Sequence, residues 1–294
     1  MQNVRDDAQC LGGVPEFMRL IHSGAMSQAV SVAAELEIAD LLANGRLHVD
    51  ELARATASHA PSLHRLLRAL ASLALCTEKE DGSFVLAPMG SLLCTDAPDS
   101  LWFWTMLCGR YQWPAWEKLL HSVKTGESTT QGFGRLRSDP EAARIFNGAM
   151  AELTRLSAAN IIRAHDFSGA QLIVDVGGGH GALLSAILKA RGEAHGILFD
   201  LPHALAGARE CLENTGLADR CKLLAGDFFE SVPSGGNVYI LKNVLHDWDD
   251  ERAAQSCTTA AALSQPAQSY SSSTGSCRRG SRRLRSIAQW PGWI

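Results

Sequence analysis

Directly between an apolar run and an apolar helix-like segment, the sequence reads Asp175-Val176-Gly177-Gly178-Gly179-His180-Gly181. Glycines at 177, 179 and 181 let a backbone turn sharply and approach a ligand at the positively polarised N-terminus of the following helix. A dinucleotide loop places its third glycine five residues after the first, to fit a pyrophosphate. Here residue 182 is alanine, the glycine falls at 181, and an acid stands two residues before the first glycine. Two further acids stand at the ends of apolar runs. Asp200 closes Gly196-Ile197-Leu198-Phe199-Asp200, where a carboxylate can accept both hydroxyls of an adenosine ribose. Gly226-Asp227-Phe228-Phe229 closes the next run, with an acceptor for an adenine amino group and an aromatic surface beside its ring. One such acid is ordinarily a cap or a solvated side chain; three acidic or glycine-rich ends in succession point to a site.

Positioning these residues requires a sheet with its strand ends on one edge. Leu172–Val176, 196–200, 221–225 and 237–241 read as buried strands, with a helix over Ala182–Ala190. Strands alternating with helices at this spacing predict an α/β fold, a Rossmann-like, doubly wound parallel sheet with its ligand at the carboxyl ends. The first third reads differently. Residues 17–42 carry apolar side chains at three- and four-residue spacings, as an amphipathic or largely buried helix pair would. A short helix opens at Asp50-Glu51, and Pro61 starts another with Leu63, Leu66, Leu67, Leu70 and Leu73 on one face. Residues 76–86 follow as a hairpin turned at Asp81-Gly82. Helix, helix, hairpin is a winged-helix pattern. Residues 100–165 are helical and rich in aromatics, with Asp139-Pro140-Glu141 as a helix start.

Charge decides what the winged-helix pattern is for. His48 to Cys94 holds four basic and five acidic residues, an unsuitable surface for phosphates, so a packing or dimerisation module is expected there. Over the whole chain of 294 residues, 46% are hydrophobic and 20% charged, which excludes disorder. The net charge of −4 is uneven: residues 1–254 hold 22 basic against 31 acidic residues, whereas 255–294 hold five arginines and no acid. An acidic body argues against a nucleic-acid partner. No basic-then-apolar leader and no apolar run near ~20 residues is present, so a soluble, cytoplasmic protein without a membrane partner is expected. Eight scattered cysteines with no C-x-x-C pair suit reduced thiols, and no metal is implied by the acids and histidines.

These motifs resemble the class I S-adenosylmethionine-dependent methyltransferases, specifically the small-molecule O-methyltransferases of the caffeate, hydroxyindole and polyketide type. The resemblance runs from about Gly24 to Arg252 and includes Phe146-Asn147-Gly148-Ala149-Met150, Phe199-Asp200-Leu201-Pro202 and Leu241-Lys242-Asn243-Val244-Leu245-His246-Asp247-Trp248. It implies the cofactor S-adenosyl-L-methionine, a small aromatic hydroxyl substrate, and a homodimer formed through the winged-helix part. Carried over by position, Gly177 and Gly179 shape the cofactor loop behind Asp175. Asp200 and Leu201 hold the ribose end, Asp227 and Phe228 the adenine, and Lys242 contacts the cofactor. His246 is the general base, Asp247 lies beside the acceptor, and Phe146 and Met150 pack against its ring. The chemistry is consistent: transfer from a sulfonium to a phenol is an in-line displacement that needs positioning and a base, and an imidazole with a pKa near ~6.5 suits the task. His180, His195 and His203 read as ordinary surface or core histidines.

Beyond Arg252 the resemblance stops. Residues 255–294 contain nine serines and no acid, a low-complexity composition. A shifted reading frame is expected: with permitted codons, residues 256–279 read one nucleotide earlier spell ELHNCRRALPAGAKLLLIDWVLPA, the helix, turn and fifth strand that the family continues with. The coding DNA decides this, since codons unable to encode that string rule it out. The expected layout is therefore a winged-helix dimerisation domain at 1–100, a helical linker contributing to the acceptor pocket at 101–165, a cofactor domain at 166–254 and an aberrant tail at 255–294. The sheet is expected to be incomplete at its C-terminal side, with 239–241 as an exposed edge and turnover weak or absent. Rival readings are a remnant that only binds cofactor or dimerises, a nicotinamide-dependent oxidoreductase opposed by the glycine spacing, and a transcription regulator opposed by the acidic wing.

Overall fold

The computed structural model describes residues 13–129, 133–255, 270–272 and 285–286, and the chain divides into two units, 1–132 and 133–294. The first unit begins with α1 (Val14–Glu35) and α2 (Ile38–Ala43), separated at Glu37 in a left-handed conformation (φ 51°). After β1 (Leu47–His48), α3 (Val49–Ala55) opens with a capping box. His48 Nδ1 accepts from the Asp50 N–H, and the Glu51 carboxylate accepts from the His48 N–H at 2.8 Å. In α4 (Ala60–Ser72), Leu63, Leu67 and Leu70 are buried at helical spacing. The hairpin β2 (Cys76–Glu78) and β3 (Ser83–Leu86) turns through Gly82 (φ 76°), and β1 adds to it in the order β1-β3-β2. Phe84, Leu52 and Leu67 centre the core of this winged-helix arrangement. The chain continues through α5 (Trp102–Met106), α6 (Trp113–Trp116) and α7 (Leu119–Thr125).

The start of α1 departs from a buried helix pair. Val14 is 77% exposed, and Phe17, Leu20 and Ile21 are also exposed, while burial begins at Ser31. Apolar spacing marks which residues share a helix face; it does not supply a neighbour for that face within the same chain.

In the second unit, α8 (Gly134–Ser138) leads to α9 (Pro140–Ala164). Asp139 caps α9 by accepting from the Ala142 N–H at 2.9 Å, and that bond holds its carboxyl below the usual range. The sheet follows: β4 (Leu172–Val176), α10 (Ala182–Ala190), β5 (His195–Asp200), α11 (Ala208–Asn214), β6 (Cys221–Ala225) and β7 (Val238–Leu241). These strands pair in parallel in the order β6-β5-β4-β7. Alternate residues serve opposite faces, as the pleat requires. Ile173, Leu198 and Ile240 join Leu184, Ile187 and Leu188 of α10 on one side, whereas Val174, Val176, Phe199, Tyr239 and Leu241 build the other. The buried Tyr239 hydroxyl donates to the Pro233 carbonyl at 2.9 Å and accepts from the Gly236 N–H, so its polar atom is satisfied.

One expectation is corrected here. Tyr239–Leu241 is not an open edge: β8 (Tyr270–Ser272) pairs with it in parallel and β9 (Arg285–Ser286) pairs with β8, giving six strands among the described residues. Ladder hydrogen bonds join main-chain groups, so a segment whose side-chain composition breaks the pattern can still cover an edge.

Candidate active site

The site is built at the carboxyl ends of β4, β5 and β7, beside the point where the strand order reverses. Register decides what meets there. Val176 lies opposite Phe199, and the Gly177 N–H donates to the Phe199 carbonyl at 2.8 Å, which brings the glycine loop beside Asp200. Gly177 has φ 71°, and a Cβ there would stand 2.7 Å from Val244 Cγ2, so both backbone conformation and space demand glycine. At Gly179 (φ 56°) a Cβ would meet nothing within 4 Å: this part of the loop borders open space. Gly181 closes the loop as the left-handed N-cap of α10.

Asp200 is half-buried and holds the loop. One carboxylate oxygen accepts from the Gly179 N–H at 2.8 Å, the other from the Leu201 N–H at 2.7 Å. Burial raises its pKa, and these two bonds pull it back. A carboxylate offers about four lone-pair sites, so two remain for hydroxyl donors. Asp175, by contrast, is 2% exposed and lies under Gly178, where a Cβ would stand 2.7 Å from its Oδ2. Burial pushes its carboxyl up to about 7, opposed by Lys242 and reinforced by Asp200. Lys242 follows β7 immediately, and burial lowers its pKa while Asp175 raises it. Asn243 then turns the chain in the left-handed region (φ 56°), which asparagine tolerates better than most residues.

Asp227 uses one oxygen on the Phe229 N–H at 2.9 Å, an Asx turn after β6. The Phe228 ring lies 4.6 Å from Phe229 and 6.2 Å from Trp248, centroid to centroid, and also borders Gly177. Trp248 extends this aromatic group to Phe133 (6.0 Å, stacked), which meets Phe146 of α9 edge-on at 5.8 Å. His246 and Asp247 sit in a single 3-10 turn, Leu245–Asp247, after β7. His246 Nε2 lies 3.2 Å from Asp247 Oδ1, and burial raises the Asp247 pKa while His246 lowers it. The carbonyl of Met150, on α9, accepts from the Thr154 hydroxyl at 2.7 Å.

The sequence reading thus named residues that the fold brings together on the second unit: Asp175 with Lys242, Gly179 and Leu201 with Asp200, Phe228 with Gly177, and His246 with Asp247. It missed Trp248 and Phe133 as links in the aromatic group, Thr154 as the partner of Lys242, and the setting of His180. His180 is half-buried next to the 201–207 loop, its pKa lowered by burial and raised by a backbone bond at Ala206 and by Asp200. An aromatic-rich stretch signals packing without naming pairs, and a threonine inside a helix carries no signal at all.

Residues 116–261 match the family model described as an O-methyltransferase domain, and residues 18–96 match the O-methyltransferase dimerisation domain. The phenazine O-methyltransferase PhzM of Lysobacter antibioticus is 43% identical over 245 residues, covering 81% of this chain and 72% of that protein. The chain belongs to the S-adenosylmethionine-dependent O-methyltransferases. The mitomycin biosynthesis 6-O-methyltransferase of Streptomyces lavendulae is 39% identical, over 76% of this chain and 67% of that protein. Among solved structures, the O-methyltransferase NcsB1 from neocarzinostatin biosynthesis, in complex with S-adenosylmethionine and 2-hydroxy-5-methyl naphthoic acid, superposes with a TM-score of 0.74 at 32% identity. It covers 90% of this chain and 82% of that one. For an O-methyltransferase, the donor set fits the cofactor: open space at Gly179, spare lone pairs on Asp200, and the buried Asp175 and half-buried Lys242 at neighbouring strand ends.

Proposed function

We propose that this O-methyltransferase methylates a hydroxyl of a small aromatic, natural-product-like acceptor with His246 as general base. S-adenosylmethionine, when bound, supplies an electrophilic methyl group on a sulfonium. The chain's residues supply the rest. Asp200 and Leu201 hold the ribose end, Asp227 and Phe228 the adenine, and Lys242 beside Asp175 the remaining end near the glycine loop. His246 takes the hydroxyl proton as the new oxygen–carbon bond forms. Its ring is held at one nitrogen by Asp247, which leaves the other nitrogen to carry the lone pair and stabilises the imidazolium that results. Phe146 and Met150 pack against the acceptor ring.

The observation that carries this reading is the convergence of Asp175, the glycine loop, Asp200 and Lys242 on one sheet edge, with the His246–Asp247 pair four residues beyond Lys242. Relatives named for phenazine and mitomycin methylation, and NcsB1 with its naphthoic acid, support a flat aromatic acceptor. The dimerisation match at 18–96 and the exposed apolar start of α1 support a homodimer. No described helix is long and apolar enough to cross a membrane, and we take the protein to be cytoplasmic with no nucleic-acid or membrane partner. The composition break at 255, six residues before the family match ends, supports the shifted reading frame.

Calorimetric titration with S-adenosylmethionine, followed by a transfer assay on hydroxylated phenazines and naphthoates, tests the proposal. Saturable cofactor binding with methyl transfer to a hydroxyl is the expected outcome. Binding without transfer to any such acceptor points to the impaired remnant; no binding overturns the cofactor assignments.

A further inference from the structure

Thr154 is a polar residue on the buried side of α9, 7% exposed. Its hydroxyl is used twice: it donates to the Met150 carbonyl at 2.7 Å and accepts from Lys242 Nζ at 3.0 Å. A hydroxyl has one hydrogen, and an ammonium can only donate, so these directions are fixed. Lysine carries its charge on a flexible four-carbon stem whose head has no planar geometry to orient it. In this site the head is held by Thr154 on the helix through a hydrogen bond, within electrostatic reach of the Asp175 carboxyl on the neighbouring strand.

The two ends of this connection belong to different halves of the reaction. Lys242 is assigned to the cofactor and Met150 to the acceptor. We propose that Thr154 is a positioning residue for methyl transfer, holding the Lys242 ammonium and the Met150 turn of α9 in one hydrogen-bonded unit that couples the cofactor and acceptor subsites. This rests on the assignments of Lys242 and Met150 made above. Back-bonding of a threonine to the carbonyl four residues earlier is common in helices and by itself has no functional meaning. The distinguishing feature is the second bond, which reaches a half-buried cation 88 residues away in sequence.

The full-length chain carries the test, with Thr154→Val, Thr154→Ser, Lys242→Met and the Thr154→Val/Lys242→Met double variant. Valine has the shape of threonine without its hydroxyl, whereas serine keeps the hydroxyl. A hydrogen bond to a charged group supports a loss of about tenfold in S-adenosylmethionine affinity for Thr154→Val, accompanied by a raised acceptor KM, with Thr154→Ser restoring most of both. In the Lys242→Met background, Thr154→Val should cause no further loss. Wild-type affinity and acceptor KM in Thr154→Val overturn the proposal. So does an equal loss with and without Lys242, which marks a packing role. If Lys242→Met leaves cofactor affinity unchanged, the assignment of Lys242 fails and the coupling fails with it.

Discussion

Asp175 gives the sharpest quantitative expectation. Its carboxyl is buried beneath Gly178, and burial raises its pKa from 3.8 to about 7 against the pull of Lys242. The sign follows from proton counting. An unfolded chain releases this proton near 3.8, whereas the folded chain keeps it to about 7, so between these values the native state binds more protons and stability falls as pH rises. The destabilisation is absent below the unfolded pKa and complete above the folded one. At ~1.4 kcal/mol per pH unit the gap corresponds to about 4 kcal/mol. Asp175→Asn preserves shape and never carries the charge. Relative to wild type, the variant should be equally stable near pH 4 and more stable by a few kcal/mol near pH 8, less the stabilisation that Lys242 loses with its counter-charge. For a protein of this size each kcal/mol moves Tm by roughly 2–4 °C, so the two melting curves should separate by about 5–10 °C across that pH range. Thermal unfolding of both proteins, buffered from pH 4 to pH 8, measures the difference directly. Carboxylates that do not interact with Asp175 titrate identically in both and cancel, whereas Asp200, relieved of a neighbouring charge in the variant, adds to the difference in the same direction. A Tm difference independent of pH, or wild type gaining on the variant as pH rises, would refute the reasoning. The variant should also bind S-adenosylmethionine more weakly, because Lys242 loses the charge that helps to hold it.

Gly177→Ala and Gly179→Ala separate space from conformation. The first carries both a left-handed backbone and a Cβ 2.7 Å from Val244 Cγ2, the second a left-handed backbone with open space. Unfolding in urea should show Gly179→Ala destabilised by about 1–2 kcal/mol and Gly177→Ala by about 1–3 kcal/mol more; equal losses would contradict the contact at Val244. His246→Gln should slow methyl transfer by about 10²–10⁴-fold while leaving S-adenosylmethionine affinity near wild type, the signature of a lost general base. Single-turnover rates and calorimetry read the two quantities separately, and an unchanged rate removes His246 from the chemistry.

Much of the second unit was legible in the residue order because its signals are local. A continuous apolar run followed by glycines and then a helix-forming run marks a strand end, so Asp175, Asp200 and Asp227 could be placed at strand ends from their neighbours alone. The winged-helix part was legible for the same reason: Pro61, the leucine spacing of α4 and Asp81-Gly82 are short-range features. Two expectations met limits of that approach. The apolar start of α1 predicted a shared face but not its exposure, and the serine-rich composition after 255 concealed main-chain pairing at Tyr270–Ser272.

What the sequence alone determined is the kind of site: a glycine loop without pyrophosphate spacing, three acids at successive strand ends and a histidine after the fourth strand. What only the tertiary structure decided is which of these groups act on each other. Parallel register sets Asp175 opposite Ile240, so Lys242, two residues on, lies at the end of the strand that buries Asp175. Neither residue's neighbours in sequence encode that register, because it depends on how two strands separated by more than 60 residues pack their alternating faces. The same holds for Thr154, whose hydroxyl reaches Lys242 only because α9 packs where it does. Electrostatics then follows the packing: a carboxyl with an ordinary pKa in the unfolded chain becomes, once covered by Gly178, a group that titrates at about 7.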